Sequence, residues 1–441
     1  MFSIRYARVT DIPDILALLR PYNMHHVPSE EVREIDTNFF YVAEAEGRMV
    51  GAAGFAILTA EVGKTTLMAV DANFGRQGIG LALQAKRMLA MHSLGLEKVI
   101  TNADRPETIR WYQKHFGYRV IGSLKKVHSF GLDTVDTWIT LEADLHELDL
   151  HQFLPEIPIP PLIINAALTG ALHSKSGNPN LPLTPQEIVT DAERVYHEGA
   201  TIVHIHARDQ AGRPTTDPTI YADIIQRIRD RCPELLICAS TSGRWGESID
   251  DRAAVLELTG DVKPDLASLT LGSFNFAKQV SVNHPDTIIA LATKMNERGI
   301  LPEAEVFEPG MLDYARRLIR KKILTLPFYC NTFFGSPCTI AAREKNAVVL
   351  REALPLDTCW SISGIGHHQQ RMTAWALGNN AHVRIGLEDH LYLDATKETL
   401  ATNATLVRQV REVAEAAGRA VATPQQTWEL LAQGRARFCM T

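Results

Sequence analysis

The sequence predicts an α/β chain in two parts: an N-terminal α/β domain, then a larger (β/α)8 barrel. Three observations carry this. From Pro161 onward apolar strands alternate with amphipathic helices eight times, a proline-containing stretch precedes that run, and 441 residues suit two or three domains, a large barrel counting as one.

Composition sets the limits. With 45 basic and 51 acidic residues, net −6, and no long block of either sign, nucleic acid and anionic membrane are not expected partners. The six cysteines, Cys232, Cys238, Cys330, Cys338, Cys359 and Cys439, form no CxxC and read as free thiols of a reducing compartment. The opening MFSIRYARVTDIPDI carries charge where a signal peptide needs an apolar core, and no apolar run reaches membrane-spanning length. A soluble, cytoplasmic protein is expected.

The first region, residues 1 to 145, mixes both periodicities. Thr10 and Asp11 can cap a helix through about Arg20, and FFYVAEAEGRMVGAAGFAIL reads as a hairpin turning near Gly47. The strand TTLMAV then enters DANFGRQGIGLALQAKRMLAMHSLG, a glycine-rich turn and an amphipathic helix. Amides freed at a helix N-terminus, with glycines allowing close approach, suit a phosphate at Gln77, Gly78, Ile79 and Gly80; an ordinary tight turn is the alternative. After the strand EKVITNA, the segment ETIRWYQKHFGYRVIG places Trp111, Tyr112 and Phe116 on a helix ending at Gly117. Residues 146 to 160, with prolines at 155, 158 and 160, read as a stiff, extended linker.

The second region, 161 to 441, supplies the strands LIINAAL, TIVHIHA, LLICAST, LASLTLG, LPEAEVF, LPFYCNTFF, CWSISGI and HVRIGLE. Between them lie helical patterns such as TPQEIVTDAERVYHEG and TIYADIIQRIRDRC. Apolar strands alternating with helices imply a parallel sheet covered on its faces, and eight units over about 280 residues imply closure. An open doubly wound sheet is the alternative if the strand count is off by one.

A barrel places its site at the C-terminal ends of the strands. In VHIHARD, His204 and His206 are two apart, so both rings leave the strand on one face. Ser240 and Thr241, Ser268 and Thr270, Glu303, Glu305 and Glu308 end the third, fourth and fifth strands, and RIGLED ends the eighth with Arg384, Glu388 and Asp389. Strand eight closes beside strand one, so Glu388 can meet the histidines. Two imidazoles plus a carboxylate form a common catalytic zinc set. His367 and His368 are expected to face solvent or phosphate, and His382 lies at the wrong end.

Two resemblances add to this reading. The glycine-rich turn, the later asparagine and the WY…FG segment over residues 3 to 143 resemble the acetyl-CoA-binding core of the GNAT N-acetyltransferases. Gly75 stands where that loop usually begins with Arg or Gln. The resemblance implies that Tyr112 protonates the leaving thiolate, with a core aromatic as the alternative role; Glu61 is only a candidate base. A noncatalytic acyl-CoA-binding module is the other reading of this region.

In the second region NAALTGA, NPNLPLTPQEI, VHIHARD, CASTSG, EAEVFEPGM, SGIG and RIGLEDH resemble, in order, the β-keto acid cleavage enzymes. The resemblance implies a TIM barrel that uses Zn²⁺ and acetyl-CoA to turn a β-keto acid into acetoacetate and a new acyl-CoA. It assigns His204, His206 and Glu388 as metal ligands, and Asp389, Arg384 and Ser240 to activation and proton handling. Glu305 is expected to orient a ligand or water, and Gly364 and Gly366 to offer amides to a CoA phosphate. A CoA-independent zinc hydrolase or aldolase is the alternative. Leu172 follows TGA where the relative acting on an amino-bearing substrate has an acidic residue; with His173 next, a polar or anionic substrate tail stays open. A homo-oligomer formed through the barrel is the expected assembly, and the sequence names neither the keto acid nor an amine acceptor.

Overall fold

A computed structural model describes residues 2–432 apart from 26, 30, 31, 33, 147, 148, 157, 245, 246, 277, 278 and 395; Cys439 thus lies outside the described residues. The chain divides into two compact units, Met1–Pro158 and Ile159–Thr441. No helix among the described residues is long and apolar enough to cross a membrane. The five described cysteines are free thiols.

The first unit is built on a seven-stranded sheet. Its leading hairpin pairs Phe40–Ala45 with Arg48–Ile57 around Gly47, whose φ of 73° suits the tight turn the sequence predicts. The strands Val62–Val70 and Lys98–Ala103 run parallel but pair only from Val62 to Lys64, with a hydroxyl contact between Thr65 and Thr101 just beyond. The helix Ile79–Ser93 opens at Gly78 in the left-handed region with no side-chain cap, leaving its first-turn amides free of a capping side chain. This helix is less amphipathic than its sequence suggests. Gln84, Lys86 and Arg87 are buried along with its apolar residues, because their polar ends find partners inside: Arg87 donates to Gly54 O and Tyr112 Oη, and Gln84 to Tyr118 Oη.

Residues 146 to 160 are not simply the extended linker their prolines predict. His151–Phe153 forms a 3-10 turn, Leu150 is buried, and Phe153 packs on Phe116 with ring centroids 5.4 Å apart. Apolar side chains that reach a ready surface override the stiffness of the prolines beside them.

The second unit closes. Strands Ile164–Ala167, Ile202–Ile205, Leu236–Ala239, Leu266–Thr270, Leu301–Val306, Tyr329–Phe334, Cys359–Gly364 and His382–Ile385 form one parallel barrel in chain order, the eighth pairing with the first. All eight expected strands are present, and closure removes the open-sheet alternative. Helices begin where the sequence signals them: Thr184 caps Pro185–His197 in a reciprocal capping box with Glu187, and Asp217 caps Pro218–Arg231. The residues opening several strands, Ile202, Leu236, Leu266 and Leu301, cluster with Leu431 of the last helix, Pro424–Ala432. That end of the barrel is filled by apolar side chains, so polar chemistry is left to the other mouth.

Candidate metal and substrate site

The alternation of the second strand does what its sequence predicts. His204 and His206 both point into the barrel, buried, with their Nε2 atoms 3.3 Å apart. Glu388 arrives from the turn after strand eight: its Oε1 lies 3.3 Å from His206 Nε2 and its Oε2 3.9 Å from His204 Nε2. Two glycines make this possible. A Cβ on Gly386 would fall 2.1 Å from Ala167 O, so strand eight closes tightly on strand one, and Glu388 N donates to that same carbonyl. A Cβ on Gly170, which has φ of 64°, would fall 2.6 Å from Glu388 Cγ. Arg208 of VHIHARD is buried and donates to Gly170 O and His173 O, pinning the TGA loop against the site.

The donor atoms of His204, His206 and Glu388 all lie within 4.8 Å of one another. Glu388 Oε2 is buried without a hydrogen-bond partner, an uncompensated negative end aimed among two imidazoles. Burial pushes the His206 ring below its usual range, which keeps it neutral and able to donate a lone pair. At His204 burial and Arg384 act in the same downward sense, yet Glu303 and Glu388 outweigh them and raise it. A carboxylate-rich pocket of this kind favours a cation at that spot.

Behind His204 stands a residue that sequence reasoning placed on the right strand but gave no role. His204 Nδ1–H donates to Glu303 Oε2 at 2.6 Å; Asn165 and Asn331 donate to the other Glu303 oxygen, and the Cys238 thiol donates to Oε2. Burial alone would raise the Glu303 carboxyl, but the His204 ring, its hydrogen bond and Arg384 hold it down to about 2. Glu305, the residue expected to orient a ligand, instead accepts from Thr270 Oγ1 at 2.6 Å and faces the cavity, its carboxyl raised by burial. Both glutamates project inward from one strand, but Glu303 lies a layer deeper, level with the His204 ring. Spacing alone could not separate them.

Arg384 is fully buried and tied to carboxylates, Nη2 lying 3.1 Å from Glu388 Oε1 and Nε 3.3 Å from Asp389 Oδ2. Strand eight ends at Ile385, so Glu388 and Asp389 sit on a turn where strand alternation no longer separates them. Asp389 also accepts from Ser363 Oγ at 2.8 Å. Burial, with Glu388 beside it, raises its carboxyl against the pull of Arg384, making it a better proton acceptor. Ser240 lines the same cavity, its Oγ accepting the Ser242 amide at 3.3 Å.

Other predicted positions fare differently. The Gly366 amide donates to Asp389 O, so it is not free for a phosphate although Gly366 borders the cavity; Gly364 ends strand seven, packed against the backbone of His368. His367 is exposed as expected, and His382 lies at the far end of strand eight, where its Nδ1 accepts the Ile163 amide. In the first unit Tyr112 is buried with its hydroxyl against Arg87, as a core aromatic would be. Glu61 is exposed in the turn before Val62–Val70, at the opposite end of that strand from the glycine-rich turn, so it cannot serve as the base there. Gln77 is exposed beside Gly78, and Ile79 and Gly80 begin the helix.

A closed parallel barrel with two histidines and a carboxylate converging at its C-terminal mouth, next to a buried Asp–Arg pair, defines an enzyme of the (β/α)8 class built around a metal-type donor set. Residues 161–432 match the model of the beta-keto acid cleavage enzymes, and residues 11–118 that of the acetyltransferase (GNAT) family. The chain belongs to the beta-keto acid cleavage enzymes and carries a GNAT domain fused ahead of the barrel. Among its relatives, a 3-keto-5-aminohexanoate cleavage enzyme of Fusobacterium nucleatum is 37% identical over 272 residues, 61% of this chain and 97% of that one. A 3-oxoadipate:acetyl-CoA acetyltransferase of Cupriavidus necator is 37% identical over 276 residues, 62% of this chain and 94% of that one. The apo structure of ObcA superposes with a TM-score of 0.52 at 23% identity, covering 57% of this chain and 65% of that one, a likeness of fold.

Proposed function

We propose that the barrel is a zinc-dependent acyltransferase that converts a β-keto acid and acetyl-CoA into acetoacetate and a new acyl-CoA. The observation that carries this is the convergence of His204, His206 and Glu388, with Glu388 Oε2 buried and unpartnered, in one cavity with Asp389. The donor set fits zinc, two imidazole nitrogens and one carboxylate leaving room for substrate. When bound, zinc supplies Lewis-acid polarisation of the keto group, which acidifies the adjacent carbon.

The chain's own residues do the rest. Asp389, raised by burial, takes the proton from that carbon, and Ser363 and Arg384 hold its carboxylate in place. The resulting carbanion attacks the acetyl thioester, and the released CoA thiolate cleaves the new diketone, returning acetoacetate and the acyl-CoA of the substrate's remaining carbons. Asp389 returns its proton to the acetoacetate carbanion as the diketone breaks, and Ser240, on the cavity wall, donates a hydrogen bond to oxygen as charge develops there. Glu305, half-buried opposite, shapes the field without a contact to the ligand set.

For the first unit we place acyl-CoA binding at Gln77, Gly78, Ile79 and Gly80, where uncapped first-turn amides suit a pyrophosphate. The GNAT family match supports an N-acetyltransferase there, with Tyr112, whose buried hydroxyl accepts from Arg87, as the candidate proton donor; the remote Glu61 leaves its base unassigned, and an acyl-CoA-binding module is the alternative. One assay tests the barrel reading: full-length protein with zinc and a panel of β-keto acids, with and without acetyl-CoA, products identified by mass. Acetoacetate and a new acyl-CoA forming only with acetyl-CoA support it; cleavage without acetyl-CoA means a zinc hydrolase or aldolase.

A further inference from the structure

The cavity that holds the donor set has a volume of about 410 Å³ and extends beyond it to Arg244, on the loop after strand three, and Gln279. Arg244 is half-buried, its guanidinium carbon 3.9 Å from the centroid of the Phe276 ring. Among the described residues it makes no ion pair within 4.0 Å, and its Nε is buried without a hydrogen-bond partner. The side-chain nitrogen of Gln279 is likewise buried and unpartnered. Two unmatched donors, one cationic, thus border the same space, and leaving them so costs free energy that an anionic acceptor recovers.

The barrel's other inward arginine is committed. Arg384 lies within 4.0 Å of Glu388, Asp389, Glu303 and Glu305, so its charge is already balanced by carboxylates even though its Nη1 is buried without a hydrogen-bond partner, whereas Arg244 has no such carboxylate among the described residues. Arg244 feels the charges of Glu388, Glu305 and Asp389 yet stands beyond ion-pair distance from them, and burial lowers its affinity for its proton. Arg244 and the donor set line one cavity, with no ion pair joining Arg244 to Glu388. The cavity wall is aromatic, with Phe274 stacked on Phe307 and Phe307 on Phe333, and Leu172 also borders the cavity where an ammonium would need a carboxylate.

We propose that Arg244, assisted by Gln279, binds a carboxylate at the far end of the substrate, so that this enzyme selects β-keto dicarboxylic acids. The proposal rests on the barrel reading above and adds the chemistry of the tail. A six-carbon β-keto dicarboxylate, the same chain ending in methyl and the same chain ending in ammonium form the test set. Wild type is expected to prefer the dicarboxylate in kcat/KM by tenfold or more. In Arg244→Met, which keeps contact with Phe276, the ratio of kcat/KM for the dicarboxylate to that for the methyl-ended chain falls about a hundredfold, whereas Arg244→Lys keeps the order of preference. Arg244→Glu should turn the preference toward the ammonium-ended chain.

Equal losses on all three substrates would overturn the proposal, because Arg244 would then hold a group common to them; a rise confined to the KM for acetyl-CoA would overturn it in favour of a CoA phosphate. A wild type that prefers the methyl- or ammonium-ended chain also overturns it. Calorimetric binding of hexanedioate and hexanoate to wild type and Arg244→Met separates this from the barrel reading. Arg244-dependent binding of hexanedioate with no turnover of any β-keto acid keeps the subsite and sinks the proposed reaction, and hexanedioate binding unaffected by Arg244→Met sinks the subsite.

Discussion

His204 Nδ1 lies 2.6 Å from Glu303 Oε2, a buried imidazole–carboxylate pair that fixes the ring's tautomer and turns Nε2 toward His206 and Glu388. A carboxylate in that position orients a metal-binding histidine and raises its basicity. Glu303→Gln keeps the shape and the acceptor but removes the charge. Zinc affinity, measured by competition with a chelator, is expected to fall by about ten- to a hundredfold, with the fold retained in circular dichroism; unchanged affinity would leave Glu303 a packing residue.

Removing zinc with a chelator is expected to abolish keto-acid cleavage, and adding zinc back to restore it. His204→Ala and Glu388→Ala should each lose both metal and cleavage while the unit Met1–Pro158 stays folded, since it is compact in its own right. Elemental analysis and proteolytic resistance of the first unit check this together. Full cleavage in metal-free protein ends the zinc assignment.

Asp389→Asn is expected to keep zinc but lose turnover by roughly a hundredfold or more, the scale for removing a general base. Metal content and turnover on one preparation decide the matter. Loss of zinc would make Asp389 a ligand, and normal turnover would make it a structural residue of the turn.

Gly170 is held to glycine by position as well as by its φ of 64°, because a Cβ there would fall 2.6 Å from Glu388 Cγ. Gly170→Ala should push Glu388 aside and weaken zinc binding by about tenfold or more, acting through the ligand it displaces. Metal titration of the purified variant tests this, and normal affinity would show that the TGA loop yields more easily than Glu388 does.

Acid should weaken the barrel through His382. Burial, helped by nearby Arg419, lowers its imidazole to about 3, and its Nδ1 accepts the Ile163 amide. The unfolded chain takes up a proton near pH 6.5 and the folded chain does not until about pH 3. The stability this residue contributes is therefore complete above about pH 6.5 and is lost as pH falls toward 3, by up to about 5 kcal/mol. His382→Asn, which can still accept the amide bond, should flatten that part of the denaturant-midpoint profile; a wild-type profile in the variant would place the acid sensitivity elsewhere.

Much of this was written in local sequence. The eight strand–helix repeats specify the barrel because each apolar strand needs cover on both faces, and only closure gives that to all eight. The two-residue spacing of His204 and His206 fixes their common direction, and RIGLED brings Glu388 and Asp389 to a strand end. Glycine-rich chemistry likewise marked the turn before Ile79–Ser93.

What local sequence left open was depth and partnership. Glu303 and Glu305 have the same period and direction, and only the barrel's layering puts one behind His204 and the other against Thr270. The Gly366 amide looked free until the chain fold brought Asp389 O to it, and the contact of Arg87 with the Tyr112 hydroxyl has no mark in the local pattern. Arg244 carried no signal beyond its place after CASTSG, because an unpaired charge is a property of the space around it. Alternation and turn chemistry act between neighbours along the chain and can be read there; the strength and partner of a buried polar group depend on atoms dozens to hundreds of residues away, which only the folded barrel brings within reach.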